Sequence, residues 1–490
     1  MTRRRIRFAA AGGLAAIGAG AAALAWRRRR SRATLLRTSF SGRSIHLAGL
    51  GVRIGGTYAS TAARKVFASA ARKEALDRER EMRTAEQVRD RLGGMKGALM
   101  KLGQMASYLD DGLPAPLRAA LSELQSDAPP MSGELAAEVI ERELGKRPDD
   151  LFIEWDPVPI AAASVGQVHR ALWLDPATGS ERALAVKVQY PGVDAAIEAD
   201  LRNAEFLGAL LRQGFAGLDP DEMVAEVKER LVDELDYELE ARNQALFADF
   251  YRGHPYISVP EVVPELSTRR VLASDLVDGH TWSELLTWSP EERNQAAECI
   301  YRFVFRSLYQ FHRFNGDPHP GNYLFHGGGR VTFLDFGLVK HFTAEEMATF
   351  EAMVRAGAYE RDAAAFREAV ERAGLLRRGA PVSTDEVGEY FSHFYSPVRQ
   401  DAVTTWTPDF ASSVVRHTFD RSSPIAQYST VPKAFVFIQR INLGLYALLG
   451  RLGATGNYRR ISTEIWPFTK APPTTPMGAA EDDWLAAHHL

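Results

Sequence analysis

Apolar residues between 82 and 125 recur at helical spacing, interrupted at "DDGLPAPLR" and closed by "LQSDAPPMS", so two or three helices precede any strand. Within them "GALMKLGQMASYL" is amphipathic, yet it sets Lys101, Gly103 and Gln104 inside one turn, with Lys101 and Gln104 three apart on a shared face. "AEVIERELG" carries the helical pattern to Gly145, where it stops. "IAAASVGQVHRALWLD" and "RALAVKVQY" are short apolar runs joined by the turn "DPATGS", which predicts an antiparallel hairpin.

The acidic, Leu-rich run 194 to 250 reads as helix with a break at "GLDP", followed by strands at "SVPEVV" and "RRVLASDLV". A long helix is expected through "NQAAECIYRFVFRSLYQFHRF", and "NYLFHGGGRVTFLDFG" predicts a second hairpin around a glycine turn. Beyond residue 343 the pattern is helical, apart from a polar stretch near 375 to 385 and a Pro-rich tail after Lys470. A β-rich segment with one helical excursion, then a mainly helical segment, predicts an α+β fold with a small and a large lobe and a cleft between them.

Composition narrows the class. With 46% hydrophobic and 25% charged residues, the chain of 490 residues is that of a globular protein, neither disordered nor multi-spanning. The only cysteine, Cys299, excludes an intrachain disulfide and a cysteine-rich zinc site. The net charge of -3 conceals a basic arm: residues 1 to 73 hold 16 Arg and Lys and no acid, leaving -19 for the remainder. Such an arm suits a polyanionic surface. Residues 6 to 26 form a weakly apolar run of about membrane-spanning length between arginine clusters. A membrane anchor, an export signal and a removed presequence are the three readings; the arginines at 27 to 30 argue against export. No nucleic-acid module is recognisable, so the arm is assigned to anionic lipid.

Four pieces carry chemistry. Lys187 in "LAVKVQ" lies within an apolar strand, where an unpaired lysine is costly and a cation projecting into a cleft suits nucleotide phosphates. In "GDPHPGN", Asp317 and Asn322 stand five apart, the spacing of a kinase catalytic loop, with prolines that forbid helix. His319 there is read as a structural hydrogen-bonding residue. "FLDFG" puts Asp335 at a strand end, where a carboxylate near the Asn322 amide makes a hard-oxygen site for Mg²⁺. The fourth piece is "AAASVGQVH", alanines where a kinase would present a glycine-rich phosphate loop. Each added Cβ restricts backbone approach, so Ala161, Ala162, Ala163, Ser164, Val165 and Gly166 are expected to hold nucleotide differently.

"KLGQ", "LQSDAPP", "AAASVGQVH", "VKVQYPG", "ELDYELEARN", "GDPHPGN" and "LDFG" together resemble the UbiB family of atypical protein-kinase-like ATPases, linked to ubiquinone biosynthesis. The resemblance implies a protein-kinase-like two-lobed fold with an N-terminal helical extension packed over the active-site cleft. It implies that Lys101, Gly103 and Gln104 belong to that helix, with Glu234 and Asp236 as partners for the polar pair. It also implies an ion pair from Lys187 to Glu240, Glu234 being the second choice. Asn315 departs from the histidine usual in kinases, at a position that supports the loop.

The domains expected are a basic arm (1–80), a helical extension (81–150), an N-lobe with a helical insert (151–280), a helical C-lobe (281–470) and a flexible tail (471–490). The activity expected is Mg²⁺-dependent ATP hydrolysis or phosphotransfer at the cytoplasmic face of a membrane, with residues 6–26 as anchor, in support of isoprenoid quinone or related lipid metabolism. Catalytic Asp317, Lys187 and Glu240 would act with metal-binding Asn322 and Asp335. Expected partners are anionic lipid, a small lipid-like or phenolic ligand and a quinone-biosynthesis complex. A small-molecule phosphotransferase of the aminoglycoside or choline kinase kind and a nucleotide-binding scaffold without turnover are the alternatives.

Overall fold

The computed structural model describes residues 131–163, 165–193, 235–316, 318–418, 423–429 and 433–488, all within one compact unit of the chain. The basic arm, the helix of Lys101, Gly103 and Gln104, and Glu234, Ser164 and Asp317 lie outside them.

The first described helix, α1 (Gly133–Leu144), begins where the Ser132 side chain accepts from Leu135 N and ends at Gly145 in the left-handed conformation. Its apolar stripe of Ala136, Val139 and Ile140 is buried against Leu184, Val186, Val188, Val271 and Ala273. These come from an antiparallel sheet of β1 (Glu154–Trp155), β2 (Ala161–Ala162), β3 (Gly166–Leu174), β4 (Glu181–Gln189) and β6 (Val271–Asp275), ordered β1-β3-β4-β6 with β2 also on β3. The hairpin expected around "DPATGS" is thus present, paired without interruption from Gly166↔Gln189 to Leu174↔Glu181. The boundary expected at residue 150 fails, because α1 and Phe152 share one core with the sheet. An amphipathic helix next to a one-sided sheet buries its stripe there, wherever the composition changes.

Between β4 and β6 the chain forms α2 (Tyr237–Phe250) and β5 (Ile257–Ser258). The long helix α3 (Pro290–Phe311) starts at a capping box of Ser289 and Glu292 and stops at His312, whose φ of 53° breaks the helix. Then follow β7 (Arg313–Asn315), β8 (Tyr323–His326), β9 (Arg330–Phe333) and β10 (Val339–His341). The β8–β9 hairpin turns through Gly328 and Gly329 at φ 73° and 78°, which only glycine adopts without strain. The pairing Asn315↔Val339 closes β7 on β10, so the loop after Asn315 and the segment before Val339 are anchored at one place.

The remaining helices build an aromatic-rich core around α3, whose inward residues include Ile300, Phe303, Val304 and Leu308. The flexible tail expected at 471–490 is instead a helix over Pro476–His488 with Met477, Gly478, Glu481 and Trp484 buried. Glu481 accepts from Arg302 at 2.8 Å and Arg306 at 2.9 Å, and Trp484 donates to the Arg252 carbonyl. The prolines end at the helix start, where proline is tolerated. Among the described residues no helix is long and apolar enough to cross a membrane; the segment 6–26 lies outside them.

Candidate active site

Strand alternation explains the placement of Lys187. Val186 and Val188 point into the core beneath α1, so Lys187 between them faces the other side of the sheet. There α2 presents Glu240, 3% exposed, and Lys187 Nζ donates to both of its carboxylate oxygens at 2.8 Å. Nζ also lies 4.0 Å from Asp335 Oδ2 and 4.9 Å from the ring centre of Tyr237. Burial alone would lower the Lys187 pKa, but Glu240, Asp335 and Tyr237 outweigh it and hold the ammonium above its ordinary value. The pair expected between Lys187 and Glu240 is therefore formed. Asp236 caps α2 by accepting from Leu239 N; its expected partner Lys101 lies outside the described residues.

The other wall is set by the loop after β7 and the turn after β9. His319 Nδ1 accepts from Gly321 N and so starts the single turn Pro320–Asn322, a structural task. The Asn322 carbonyl accepts from Leu334 N at 3.0 Å, which puts Asn322 beside the residue preceding Asp335. Asp335 Oδ1 accepts from Gly337 N at 3.0 Å, and its carbonyl accepts from Asn315 Nδ2 at 2.7 Å. Phe336 is fully buried against Phe247.

This donor set, an amide and a carboxylate with hard oxygens, fits a magnesium ion that completes its shell with water and phosphate oxygens. Among the described residues no three His, Cys, Asp or Glu side chains cluster as a self-sufficient metal site.

The alanine-rich segment divides. Ala161 and Ala162 are exposed and Ala163 is half-buried, its N–H donated to the Gly166 carbonyl within the turn. Val165 and Gly166 are buried. A Cβ on Gly166 would collide with the Val188 carbonyl and lie 2.6 Å from the Tyr237 hydroxyl; this glycine serves close packing. Gln167 and His169 are buried too. Gln167 brackets the Met131 backbone, accepting from its N–H and donating to its carbonyl, and also donates to His169 Nε2. His169 Nδ1 donates to the Asp156 carbonyl, which fixes the neutral tautomer.

The sequence did not single out Asn243, whose Nδ2 donates to the Phe336 carbonyl at 3.1 Å; Asn315, read as supporting the loop, donates to the Asp335 carbonyl at 2.7 Å. The signal for Asn243 was its position three after Glu240, a polar residue on the face α2 buries. A cavity of about 80 Å³ inside the helical core, lined by Tyr309, Phe350, Asn442 and Tyr446 among others, includes none of the candidate residues. It is smaller than the roughly 150 Å³ cavity known to hold benzene, so it does not compete as a ligand site.

A strand lysine paired with a helix glutamate, opposite an Asp-Phe-Gly turn, defines a protein-kinase-like fold and site. The family model described as "ABC1 atypical kinase-like domain" matches residues 123–370. The chain belongs to this ABC1, or UbiB, family of atypical kinase-like proteins. It is 34% identical over 279 residues to the atypical kinase COQ8B, mitochondrial, of Rattus norvegicus, covering 56% of this chain and 51% of the relative. It is 30% identical over 284 residues to the atypical kinase COQ8, mitochondrial, of Saccharomyces cerevisiae, covering 56% of each. The chain thus spans about half the length of these curated relatives. The solved complex of Rv3197 with erythromycin from Mycobacterium tuberculosis matches with a TM-score of 0.58 and 30% identity, covering 81% of this chain and 98% of that one.

Proposed function

We propose that the protein is a Mg²⁺-dependent, membrane-associated kinase-like ATPase that supports isoprenoid quinone or related lipid metabolism. The observation that carries the reading is Lys187, held by Glu240 at 2.8 Å and 4.0 Å from Asp335. Three charged groups this close on separate elements serve a triphosphate; a purely structural pair has no need of the second carboxylate.

In this reading Lys187 would hold the α- and β-phosphates, and Asn322 and Asp335 would hold the metal, which would supply charge neutralisation to the phosphates. Asp317 accepts the proton of the attacking oxygen. A bond forms from that oxygen to the γ-phosphorus while the bond to the β–γ bridging oxygen breaks, and ADP leaves with the electron pair. The acceptor is water or a small hydroxyl compound, phenolic or lipid-like. Support for the quinone pathway is the likeness to the COQ8 proteins and the family resemblance; support for the membrane is the basic arm.

The test is phosphate release from ATP by the full chain, with and without vesicles of anionic phospholipid. The reading expects release that needs Mg²⁺, rises with the vesicles and is lost in Asp335→Asn. Nucleotide bound without any release would favour a scaffold. No binding at all would remove the reading.

A further inference from the structure

The buried face of α2 is unusual for a helix packed in a core. Its buried positions are Tyr237, Glu240, Ala241, Asn243, Gln244, Phe247 and Ala248, and three of the seven, Glu240, Asn243 and Gln244, carry a charged or amide group. Each polar group meets a different element. Glu240 takes the Lys187 ammonium from β4. Asn243 Nδ2 donates to the Phe336 carbonyl at 3.1 Å, and Gln244 Nε2 donates to the Pro260 carbonyl at 2.9 Å. Asn243 is 5% exposed. An amide at such a depth is costly if its bond is lost, whereas an apolar side chain would run no such risk. Neither does helix propensity favour asparagine in mid-helix.

The bond to Phe336 has a positional consequence. Two successive carbonyls of the Asp-Phe-Gly turn are each gripped by an asparagine: that of Asp335 by Asn315 from β7, that of Phe336 by Asn243 from α2. Orienting both peptide planes fixes the backbone on either side of Phe336, and Gly337 N holds one oxygen of the Asp335 carboxylate. The other oxygen, Oδ2, is then the one directed toward Lys187. Glu240 and Asn243 lie three residues apart, neighbours on a helix surface with Cβ atoms about 5–6 Å apart. The same stretch of α2 therefore positions the lysine through Glu240 and the aspartate through Asn243, and works as a spacer between the two groups.

We infer that Asn243 is a positioning residue for the metal-binding turn: its bond to the Phe336 carbonyl sets where the Asp335 carboxylate stands relative to Lys187. This deepens the proposed function and rests on it, since it takes Asp335 as a metal ligand. Asn243 does not touch nucleotide or metal; it acts through the backbone.

The experiment titrates Mg²⁺ against a fluorescent ATP analogue bound to the full chain, in wild type, Asn243→Ala and Asn243→Asp. The aspartate has nearly the same volume but, when ionised, no donor. Melting temperature is recorded alongside. Outer groups of this kind typically change metal affinity about 10–100-fold. Both variants are therefore expected to raise the half-saturating Mg²⁺ concentration about tenfold or more, with metal-free nucleotide affinity within about twofold of wild type. Variants that melt earlier but need the same Mg²⁺ would assign Asn243 to packing alone and overturn the inference while leaving the proposed function intact. A wild type whose nucleotide binding ignores Mg²⁺ would overturn both. If both variants fail to fold, Asn243→Ser, a shorter donor, is titrated instead: a half-saturating concentration unchanged from wild type overturns the inference, and a raised one supports it.

Discussion

Lys187 Nζ sits 2.8 Å from both carboxylate oxygens of Glu240, on a strand and a helix 53 residues apart in sequence. The pair is largely shielded, the lysine side chain 18% and the glutamate 4% exposed, so removing one partner strands a charge. Such loss costs about 3–5 kcal/mol, whereas replacing both with apolar groups is often neutral. Lys187→Met and Glu240→Gln should each lower stability in urea unfolding. The double change Lys187→Met with Glu240→Leu should recover most of it. ATP turnover, by contrast, should stay about 100-fold or more below wild type in the double variant, as expected when a phosphate-facing charge is gone. Recovery of turnover along with stability would make the pair structural only.

The turn at Ala163 offers the opposite kind of change. Its N–H is donated to the Gly166 carbonyl, and the residue is half-buried. Ala163→Gly should tighten nucleotide binding, measured by calorimetry, because the freed backbone can close on phosphate. Unchanged affinity would show that the alanine does not limit access.

The C-terminal helix is a stability element. Glu481, 1% exposed, is shared by Arg302 and Arg306; burial would raise its pKa, but His254, Arg306 and Arg302 more than reverse this and keep it ionised. Glu481→Gln should destabilise by about 3–5 kcal/mol in denaturant unfolding, since the Arg306 guanidinium loses the carboxylate it faces at 2.9 Å while Arg302 keeps Glu298 and Glu464. A loss below about 1 kcal/mol, the size of an exposed pair, would contradict the burial.

His169 predicts an acid limb. Burial lowers its pKa below the ordinary 6.5, only partly offset by the bond to the Asp156 carbonyl. The unfolded chain then binds the proton first, so stability should fall as pH drops below about 6.5 and hold steady above it. Urea unfolding between pH 7 and 5 should show a shallower decline in His169→Gln. An identical slope would mean that this imidazole does not titrate on unfolding.

Both hairpins and the long helix were legible because strand alternation, glycine turns and capping residues act locally. Glu240 was named within "ELDYELEARN" through the family resemblance, and it lies on the face that α2 buries. The docked C-terminal helix was hidden, since its seat on Arg302 and Arg306 lies 175 or more residues away in sequence. Asn243 was missed for a related reason: it donates to a backbone carbonyl, and a carbonyl is present at every position. Asn315, read as a support of the loop, reveals its partner only when the fold brings the Asp335 carbonyl to it.

The central claim is that Lys187, Asn322 and Asp335 grip one magnesium nucleotide. Calorimetric titration of the full chain with ATP, with and without Mg²⁺, tests it most directly, using Lys187→Met and Asp335→Asn as partners to wild type. Wild type should show binding that Mg²⁺ strengthens, Lys187→Met weakened affinity under both conditions, and Asp335→Asn loss of the Mg²⁺ effect alone. Equal affinity in all three proteins, indifferent to the metal, would contradict it.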